Sequence, residues 1–371
     1  MSVFTSEKKL GFGLMRLPRL DPDDASKIDM EHAKKMVDVF IENGFTYFDT
    51  AWMYHSFMSE RAVKELLIDR YPRESFTLAT KFHCAFAKTV EERDKLFAEQ
   101  FEKTGADYFD YYLMHDVREE HYKLYNEMDC FNWIQEQKAK GLVKHIGFSF
   151  HSSAEFLDQV LTEHPEMEFV QLQINYLDWE SEKVQSRKCY EVATKHGKPV
   201  IVMEPVKGGT LAKVPEAVEK MFKSKNADMS VASWAVRFAA SLPNVKIVLS
   251  GMSNMEQISD NMSFMKDFVP LNEDEMIVAH NAAEMISKDI AIPCTGCAYC
   301  VDGCPMNIAI PKYFDLYNKN EKESQAEAYE EMSAAFGKAS ECVGCGQCEE
   351  VCPQHLSIIE LLKDVADTFE K

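Results

Sequence analysis

Four side chains with complementary acid–base chemistry lie at or just after the ends of three successive predicted strands. Asp49 ends the run FTYFD and Tyr54 follows in the next loop, Lys81 ends FTLATK, and His115 follows FDYYLM. Reduction of a carbonyl by hydride leaves an alkoxide that needs a proton, and a phenol can supply it. We expect Lys81 to lower the pKa of Tyr54 and Asp49 to hold the lysine charged and in place. A neutral His115 would orient the carbonyl oxygen.

Any one of these four residues alone would most simply be structural. Their presence together at successive strand ends favours a catalytic origin instead. The set therefore predicts an enzyme that acts on a small carbonyl or alcohol.

Eight of the eleven cysteines lie in two boxes, CTGCAYCVDGCP at 294–305 and CVGCGQCEEVCP at 342–353. Both have the spacing C-x2-C-x2-C-x3-C-P, which resembles the bacterial ferredoxin run that binds [4Fe-4S] clusters through thiolates. Zinc is the alternative metal, but a tetrahedral zinc site does not need four cysteines so closely spaced in each box. The boxes predict two [4Fe-4S] clusters.

The resemblance to two-cluster ferredoxins also implies how the ligands are shared. In those proteins the fourth cysteine of each run ligates the other cluster. By this rule the ligands of the first cluster are Cys294, Cys297, Cys300 and Cys352. The ligands of the second cluster are Cys342, Cys345, Cys348 and Cys304.

The elements that position the four acid–base groups alternate between strand and helix up to about residue 285. The strand candidates are LGFGLM near 10, FTYFD (45–49), FTLATK (76–81), FDYYLM (109–114), KHIGFS (144–149), EFVQLQI (168–174), PVIVME (199–204) and VKIVLS (245–250). Helical patterns separate them, and Ser152 with Glu155 predicts a capping box at the start of SAEFLDQVLTEH. Eight strand–helix units predict a (β/α)8 TIM barrel rather than an open doubly wound sheet.

The chain changes character beyond Pro293, where the cysteine boxes begin. A polar, helix-favouring stretch of 37 residues separates Cys304 from Cys342. After the second box, LSIIELLKDVADTF (356–369) is typical of a short amphipathic helix. We expect residues 1–285 to form the barrel and residues 286–371 to form a small α-helical ferredoxin-like domain with two [4Fe-4S] clusters.

Several motifs occur in the order typical of the aldo-keto reductase family, which the barrel therefore resembles. They are FDTAWMY with SE at 59–60, ATK at 79–81, DYYLMH at 110–115, GLVKHIGFS at 141–149 and VQLQINY at 170–176. The resemblance implies that Tyr54 is the proton donor, that Lys81 and Asp49 tune it, and that His115 orients the substrate. With the cysteine boxes, the chain resembles the iron–sulfur subgroup of that family.

The same resemblance implies a nicotinamide cofactor, NAD(P)H. Ser149 and Gln171 match positions that hold the carboxamide, whereas Met203 stands where the family often has a stacked tyrosine and Gln257 where an arginine often binds the 2′-phosphate. These departures leave room for a flavin. The remaining implied contacts lie in EPVKGG and LSGMSNMEQISDN, the loops after the seventh and eighth strands, from which barrels commonly build a phosphate site. They are Lys207, Gly208, Gly209, Ser250, Gly251 and Asn261.

The charge balance limits the partners. The chain has 61 acidic and 41 basic side chains, a formal net charge of −20, which disfavours nucleic acid and anionic membranes. The N-terminal segment MSVFTSEKKLGFG has no apolar run, no later window predicts a membrane span, and we expect a cytoplasmic protein. Residues 286–371 contain 15 acidic and 7 basic residues, so a soluble electron carrier would need a basic surface.

Three functions are compatible with these observations. The first is an oxidoreductase whose clusters relay electrons between an outside carrier and the barrel, which requires a flavin or another one-electron acceptor at the mouth. The second is an NAD(P)H-dependent carbonyl reductase with structural or redox-sensing clusters. The third is a non-catalytic electron-transfer subunit whose barrel is only a binding platform.

Overall fold

Eight parallel strands close into a barrel in the computed structural model, which describes residues 3–4 and 8–371. Within those residues, each strand pairs with the next in sequence and the last pairs with the first. The strands are β1 (Leu10–Gly13), β2 (Tyr47–Asp49), β3 (Thr77–Phe82), β4 (Phe109–Val117), β5 (Val143–Phe150), β6 (Phe169–Gln173), β7 (Val200–Met203) and β8 (Val245–Gly251). The predicted TIM barrel is confirmed. Residues 1–2 and 5–7 of the N-terminal segment considered above lie outside the described residues.

Helices separate the strands and cover the outside of the barrel. They are α1 (Met30–Glu42), α2 (Tyr54–Phe57), α3 (Ser59–Val63), α4 (Val90–Thr104), α5 (Glu119–Glu127), α6 (Cys130–Ala139), α7 (Ala154–Glu163), α8 (Ser186–Lys195), α9 (Glu216–Lys225), α10 (Val231–Ser241), α11 (Met255–Met265) and α12 (Glu273–Asp289). A π-helical turn, Lys64–Ile68, continues α3. Among the described residues, no helix has the length and apolar character that a membrane crossing requires.

Two apolar clusters stabilise the barrel. The larger one lies between the strands and the surrounding helices, and a smaller one fills the barrel interior with Tyr47, Tyr111, Phe169 and their neighbours. Gly147 on β5 makes room for this interior packing, since a Cβ there would lie 2.5 Å from the carbonyl oxygen of Phe169. The strands are parallel, so their carboxyl ends meet at one mouth.

Residues beyond the barrel form a helical module with its own apolar core. Its helices are α13 (Ile310–Asn320), α14 (Ala326–Ser333), α15 (Gln347–Glu350) and α16 (Ile358–Phe369). Cys300, Cys348 and Cys352 pack into this core beside aromatic and aliphatic side chains. The predicted helical C-terminal region is confirmed, and we refer to residues 291–371 as the module.

Two local details add to the sequence prediction. The predicted capping box at Ser152 is wrong: Ser153 caps α7 by accepting a hydrogen bond from Phe156 N, and Ser152 instead donates to Glu119. The division into 1–285 and 286–371 stays a prediction, but α12 packs on the barrel core as far as Ile286.

The close approach at Gly147 gives a stability prediction. Gly147→Ala should lower the free energy of unfolding of the barrel by about 1–3 kcal/mol, because the added methyl overpacks the β5–β6 contact. Gly13→Ala is the control: it is also a strand glycine, but its Cβ would lie 3.5 Å from the nearest heavy atom. Urea unfolding followed by tryptophan fluorescence measures both variants, and equal losses would contradict the packing argument.

Candidate active site at the barrel mouth

The structure brings the four predicted acid–base groups together at the mouth. Lys81 Nζ lies 2.5 Å from Asp49 Oδ1 and donates to the carbonyl oxygen of Thr50 at 2.7 Å. The same Nζ is 5.1 Å from the centroid of the Tyr54 ring, and that ring meets the His115 ring edge to face at 6.1 Å. A buried ion pair thus lies beneath a phenol and an imidazole that share one pocket.

A strained turn positions Tyr54. The three residues that follow it, His55, Ser56 and Phe57, have φ values of 53°, 50° and 70°, in the left-handed region that L-residues rarely adopt. The His55 ring fixes the turn: its Nε2 accepts from Leu17 N at 3.2 Å and its Nδ1 lies 2.9 Å from the carbonyl oxygen of Ala25. Strained backbone concentrated beside the phenol is typical of functional sites.

The electrostatics differ in part from the sequence prediction. Burial raises the pKa of Tyr54 well above its ordinary value, and Tyr299, Asp49 and Glu204 add to that effect. The expectation that the pKa of Tyr54 is lowered is therefore wrong, because desolvation and neighbouring acidic groups disfavour the phenolate. Burial lowers the pKa of Lys81 itself, while the Asp49 carboxylate opposes that shift.

His115 has the protonation state that its expected role requires. Burial, followed by His83 and Lys81, lowers the pKa of His115 well below its ordinary value, so the ring is neutral near pH 7. A neutral imidazole can donate one hydrogen bond to a carbonyl oxygen. With protonated Tyr54, the pocket offers two donors to one oxygen.

The residues matched to the carboxamide of a nicotinamide lie on adjacent strands. Ser149 on β5 is paired in register with Gln171 on β6, and both are buried. Ser149 Oγ accepts a hydrogen bond from Asp116 N at 2.8 Å, whereas Gln171 Oε1 has no partner among the described residues. Met203 ends β7 and is partly exposed.

The loops after β7 and β8 hold the residues matched to the cofactor phosphates. Lys207 is buried and Gly208 and Gly209 follow it with positive φ. Ser250 is buried at the end of β8, and the Arg16 side chain lies against Gly251.

Gln257 and Asn261 both lie on α11. Gln257 is exposed and its Oε1 accepts from Ser253 N at 2.7 Å. Asn261 is buried and donates to the Gln257 carbonyl oxygen at 2.8 Å. Each of these side chains is thus engaged with its own helix or the loop just before it.

Sequence reasoning missed a buried contact between barrel and module. Lys207 Nζ donates to Asp178 Oδ1 at 2.7 Å and Oδ2 at 2.8 Å, and to Gln354 Oε1 at 2.7 Å. Gln354 also exchanges amide hydrogen bonds of 3.1 Å with Gln173 at the end of β6. We call Gln173, Asp178, Lys207 and Gln354 the Gln354 clamp. The only local signal for it was a glutamine directly after the second box.

A second contact joins the module to the end of β4. Arg118 donates to both carboxylate oxygens of Asp116 at 2.7 Å and to the carbonyl oxygen of Glu350 at 2.7 Å. Burial alone would raise the pKa of Asp116, but His151 and Arg118 lower it overall. His83 and His121 lie within salt-bridge distance of the same carboxylate. The module therefore covers the side of the mouth next to His115.

The eight box cysteines line two separate cavities. One is lined by Cys294, Cys297, Cys300 and Cys352, the other by Cys304, Cys342, Cys345 and Cys348. Each cavity thus takes three cysteines from one box and the fourth from the other, the sharing that the ferredoxin resemblance implies. Four thiolates around one cavity suit a [4Fe-4S] cluster.

The first cavity lies against the barrel mouth. Tyr299 lines it together with the cysteines, and the Tyr299 hydroxyl is 3.8 Å from Met15 Sδ in the loop after β1. Tyr299 is also close enough to Tyr54 to raise its pKa. Glu204, at the end of β7, acts on both tyrosines, and its Oε2 has no partner among the described residues.

Comparisons with known proteins agree with these two parts. Residues 9–280 match the model of the Aldo/keto reductase family, and residues 293–356 match that of a 4Fe-4S dicluster domain. None of the curated proteins compared with the chain matches it.

Solved structures show the same barrel. The thermostable aldo-keto reductase Tm1743 in complex with epalrestat matches at 19% identity and a TM-score of 0.60, covering 74% of this chain and 94% of that one. The holo form of AKR11C1 from Bacillus halodurans matches at 21% identity and a TM-score of 0.60, covering 74% of this chain and 91% of that one. An aldo-keto reductase from Klebsiella pneumoniae in complex with NADPH matches at 16% identity and a TM-score of 0.59, covering 74% of this chain and 90% of that one. At these identities the likeness concerns the fold.

The family match spans most of the chain, and the second match covers both cysteine boxes. This chain therefore belongs to the aldo/keto reductase family, and its barrel is followed by a 4Fe-4S dicluster domain.

Proposed function

We propose that this protein is an iron–sulfur oxidoreductase that reduces a small carbonyl compound with electrons relayed through its module. One observation carries the proposal: the cavity lined by Cys294, Cys297, Cys300 and Cys352 is also lined by Tyr299, which lies close enough to Tyr54 to raise its pKa. Bound [4Fe-4S] clusters would supply one-electron transfer at both cavities. Overall, the carbonyl takes up two electrons from the carrier and two protons, one at the oxygen from Tyr54 and one at the carbon from water, and becomes an alcohol.

The barrel residues supply positioning and a proton. Protonated Tyr54 and neutral His115 donate hydrogen bonds to the carbonyl oxygen, and the Tyr54 proton passes to that oxygen as the C–O group becomes an alkoxide. The Lys81–Asp49 pair lies under the phenol and holds its ring in place. A one-electron route requires an acceptor at the mouth that takes up single electrons, and a flavin is one candidate.

The second cavity supports electron entry from solvent. Cys345, which lines it, is exposed, and so is Val343 beside it. We propose a soluble carrier protein with a basic surface as the electron partner, because the module has an acidic excess. We place the protein in the cytoplasm, where reducing conditions keep cysteine ligands available.

A nicotinamide-dependent carbonyl reductase is the second candidate function. It is favoured by Oε1 of buried Gln171 beside Ser149, which has no partner in the described part of the chain, and by the NADPH bound to the Klebsiella pneumoniae protein of the same fold. A non-catalytic electron-transfer subunit fits less well, because the four acid–base groups are assembled in one pocket. Activity with NADPH but none with a one-electron donor would favour the second candidate.

The proton donor can be tested with a single variant. In the anaerobically purified holoprotein, Tyr54→Phe should lower the rate of carbonyl reduction by reduced methyl viologen by about 10²–10⁴-fold, since the phenolic proton is lost. Tyr108→Phe is the matched control, because Tyr108 directly precedes β4 at the opposite end of the barrel. A Tyr54→Phe enzyme as fast as wild type would show that Tyr54 is not the proton donor.

The sharing of cysteines can be tested with two double variants. If the fourth cysteine of each box serves the other cluster, Cys294→Ala with Cys304→Ala removes one ligand from each, and iron should fall from about eight atoms per chain toward none. Cys304→Ala with Cys342→Ala removes two ligands from one cluster and should leave about four. Iron and sulfide analysis gives the count.

Clusters built within single boxes would reverse these two results. Cys189→Ser is the control for loss of a thiol elsewhere, because a serine hydroxyl can keep the contact of Cys189 Sγ with the carbonyl oxygen of Ser152. Its iron content should match that of the wild type.

A further inference from the structure

The loops after β7 and β8 are where TIM barrels commonly bind phosphate groups. The sequence places Lys207, Gly208, Gly209, Ser250 and Gly251 in these two loops, as candidate contacts to the phosphates of a dinucleotide. The contacts of these loops decide whether a dinucleotide fits there in this chain.

The Lys207 ammonium has no donor left for a phosphate. An ammonium group carries three N–H donors, and Lys207 Nζ directs hydrogen bonds to Asp178 Oδ1, Asp178 Oδ2 and Gln354 Oε1, all within 2.8 Å. Both lysine and aspartate are buried. A phosphate would have to displace a buried carboxylate and the module's Gln354 to reach this lysine, and it would leave Asp178 without its cation.

The backbone of Gly208 is covered by the first cysteine box. A Cβ on Gly208 would lie 2.1 Å from the carbonyl oxygen of Thr295, so the two backbones are in direct contact. That carbonyl oxygen also accepts a hydrogen bond from Arg16 Nη2 at 3.2 Å, and the Arg16 side chain lies against Gly251. A phosphate entering between the two loops would meet a carbonyl oxygen and the arginine that it already binds.

We propose that the first cysteine box and Gln354 occupy the dinucleotide phosphate site, and that Lys207 serves as a positioning residue for the module. The residues present do not fit a nicotinamide dinucleotide bound in the manner of the family while the module is docked. Lys207 and Asp178 instead anchor Gln354, two residues after Cys352, and so hold the first cavity against the mouth. The proposal concerns docking and nucleotide binding, and does not depend on which substrate is reduced.

Nucleotide binding tests the first half of the proposal. NADPH and NADH, titrated into the anaerobic holoprotein by calorimetry, should show no saturable binding up to about 1 mM, the upper end of the usual range for substrates and cofactors. Saturable binding in the micromolar range that weakens in Lys207→Met would overturn it.

Two adjacent glycines offer a matched test of the second half. Gly208 and Gly209 both have positive φ, 66° and 106°, so an alanine is strained at either position, and more so at Gly209, whose φ lies beyond the left-handed region. A Cβ on Gly209 meets no atom of the described residues within 4 Å, whereas one on Gly208 collides with Thr295. Gly208→Ala should therefore speed amide hydrogen exchange in residues 294–300 and change the EPR line shape of the reduced first cluster, and Gly209→Ala should do neither.

Gln354→Ala provides a second variant that leaves the barrel sequence intact. Loss of the hydrogen bond from the Lys207 ammonium should raise the rate of amide hydrogen exchange near residues 350–356 by at least about tenfold. Equal exchange in Gly208→Ala and Gly209→Ala, with no change in Gln354→Ala, would overturn the positioning role. Viologen-linked carbonyl reduction is measured separately, so its absence would remove the proposed function while leaving these docking results valid.

Discussion

A buried ammonium group at the barrel mouth fixes the relation between the two parts of this protein. Lys207 is almost completely withdrawn from solvent and is compensated by Asp178 on the barrel side and by Gln354 on the module side. Breaking such a buried pair by removing one partner costs several kcal/mol, about 3–5 in typical cases. The module is therefore not a loosely tethered appendage: part of the compensation of a barrel charge comes from the module itself.

This constraint determines which surface of the module faces the barrel. With Gln354 in the clamp, Thr295 and Tyr299 of the first box lie over the ends of β7 and β1, and Glu350 accepts from Arg118 near β4. Tyr299, which lines the cavity of the first box, then lies close enough to Tyr54 to raise its pKa, and Cys345, which lines the other cavity, is exposed. One docking geometry thus supports both the proposed direction of electron flow and the proposed loss of the dinucleotide site.

Local sequence patterns predicted most of the fold but not the docking. The barrel strands were predicted correctly because their runs are apolar and separated by helical periodicity. The cysteine boxes were recognised because their cysteines are only three or four residues apart, which is a local property. The Gln354–Lys207 contact joins residues 147 positions apart, and no periodic pattern encodes such a pairing. The pKa of Tyr54 was misjudged for the same reason: its direction depends on burial and on Tyr299, which arrives from the module. The capping residue of α7 differed by one position, an ordinary uncertainty at helix ends.

The electrostatics of the mouth also bear on the direction of the proposed reaction. A phenol whose pKa is raised by burial and by Asp49 and Glu204 is protonated at neutral pH, so it can donate a proton but is a poor resting base. Oxidation of an alcohol would require the phenolate, which these neighbours disfavour. Reduction requires the neutral phenol and a neutral imidazole, which are the states that the environments of Tyr54 and His115 both favour. Electrons that arrive singly from clusters bring no proton, whereas a hydride donor supplies the hydrogen that bonds to carbon. In the proposed reaction each proton must therefore come from the protein or from water, so the neutral state of Tyr54 matters more than it would with a hydride donor.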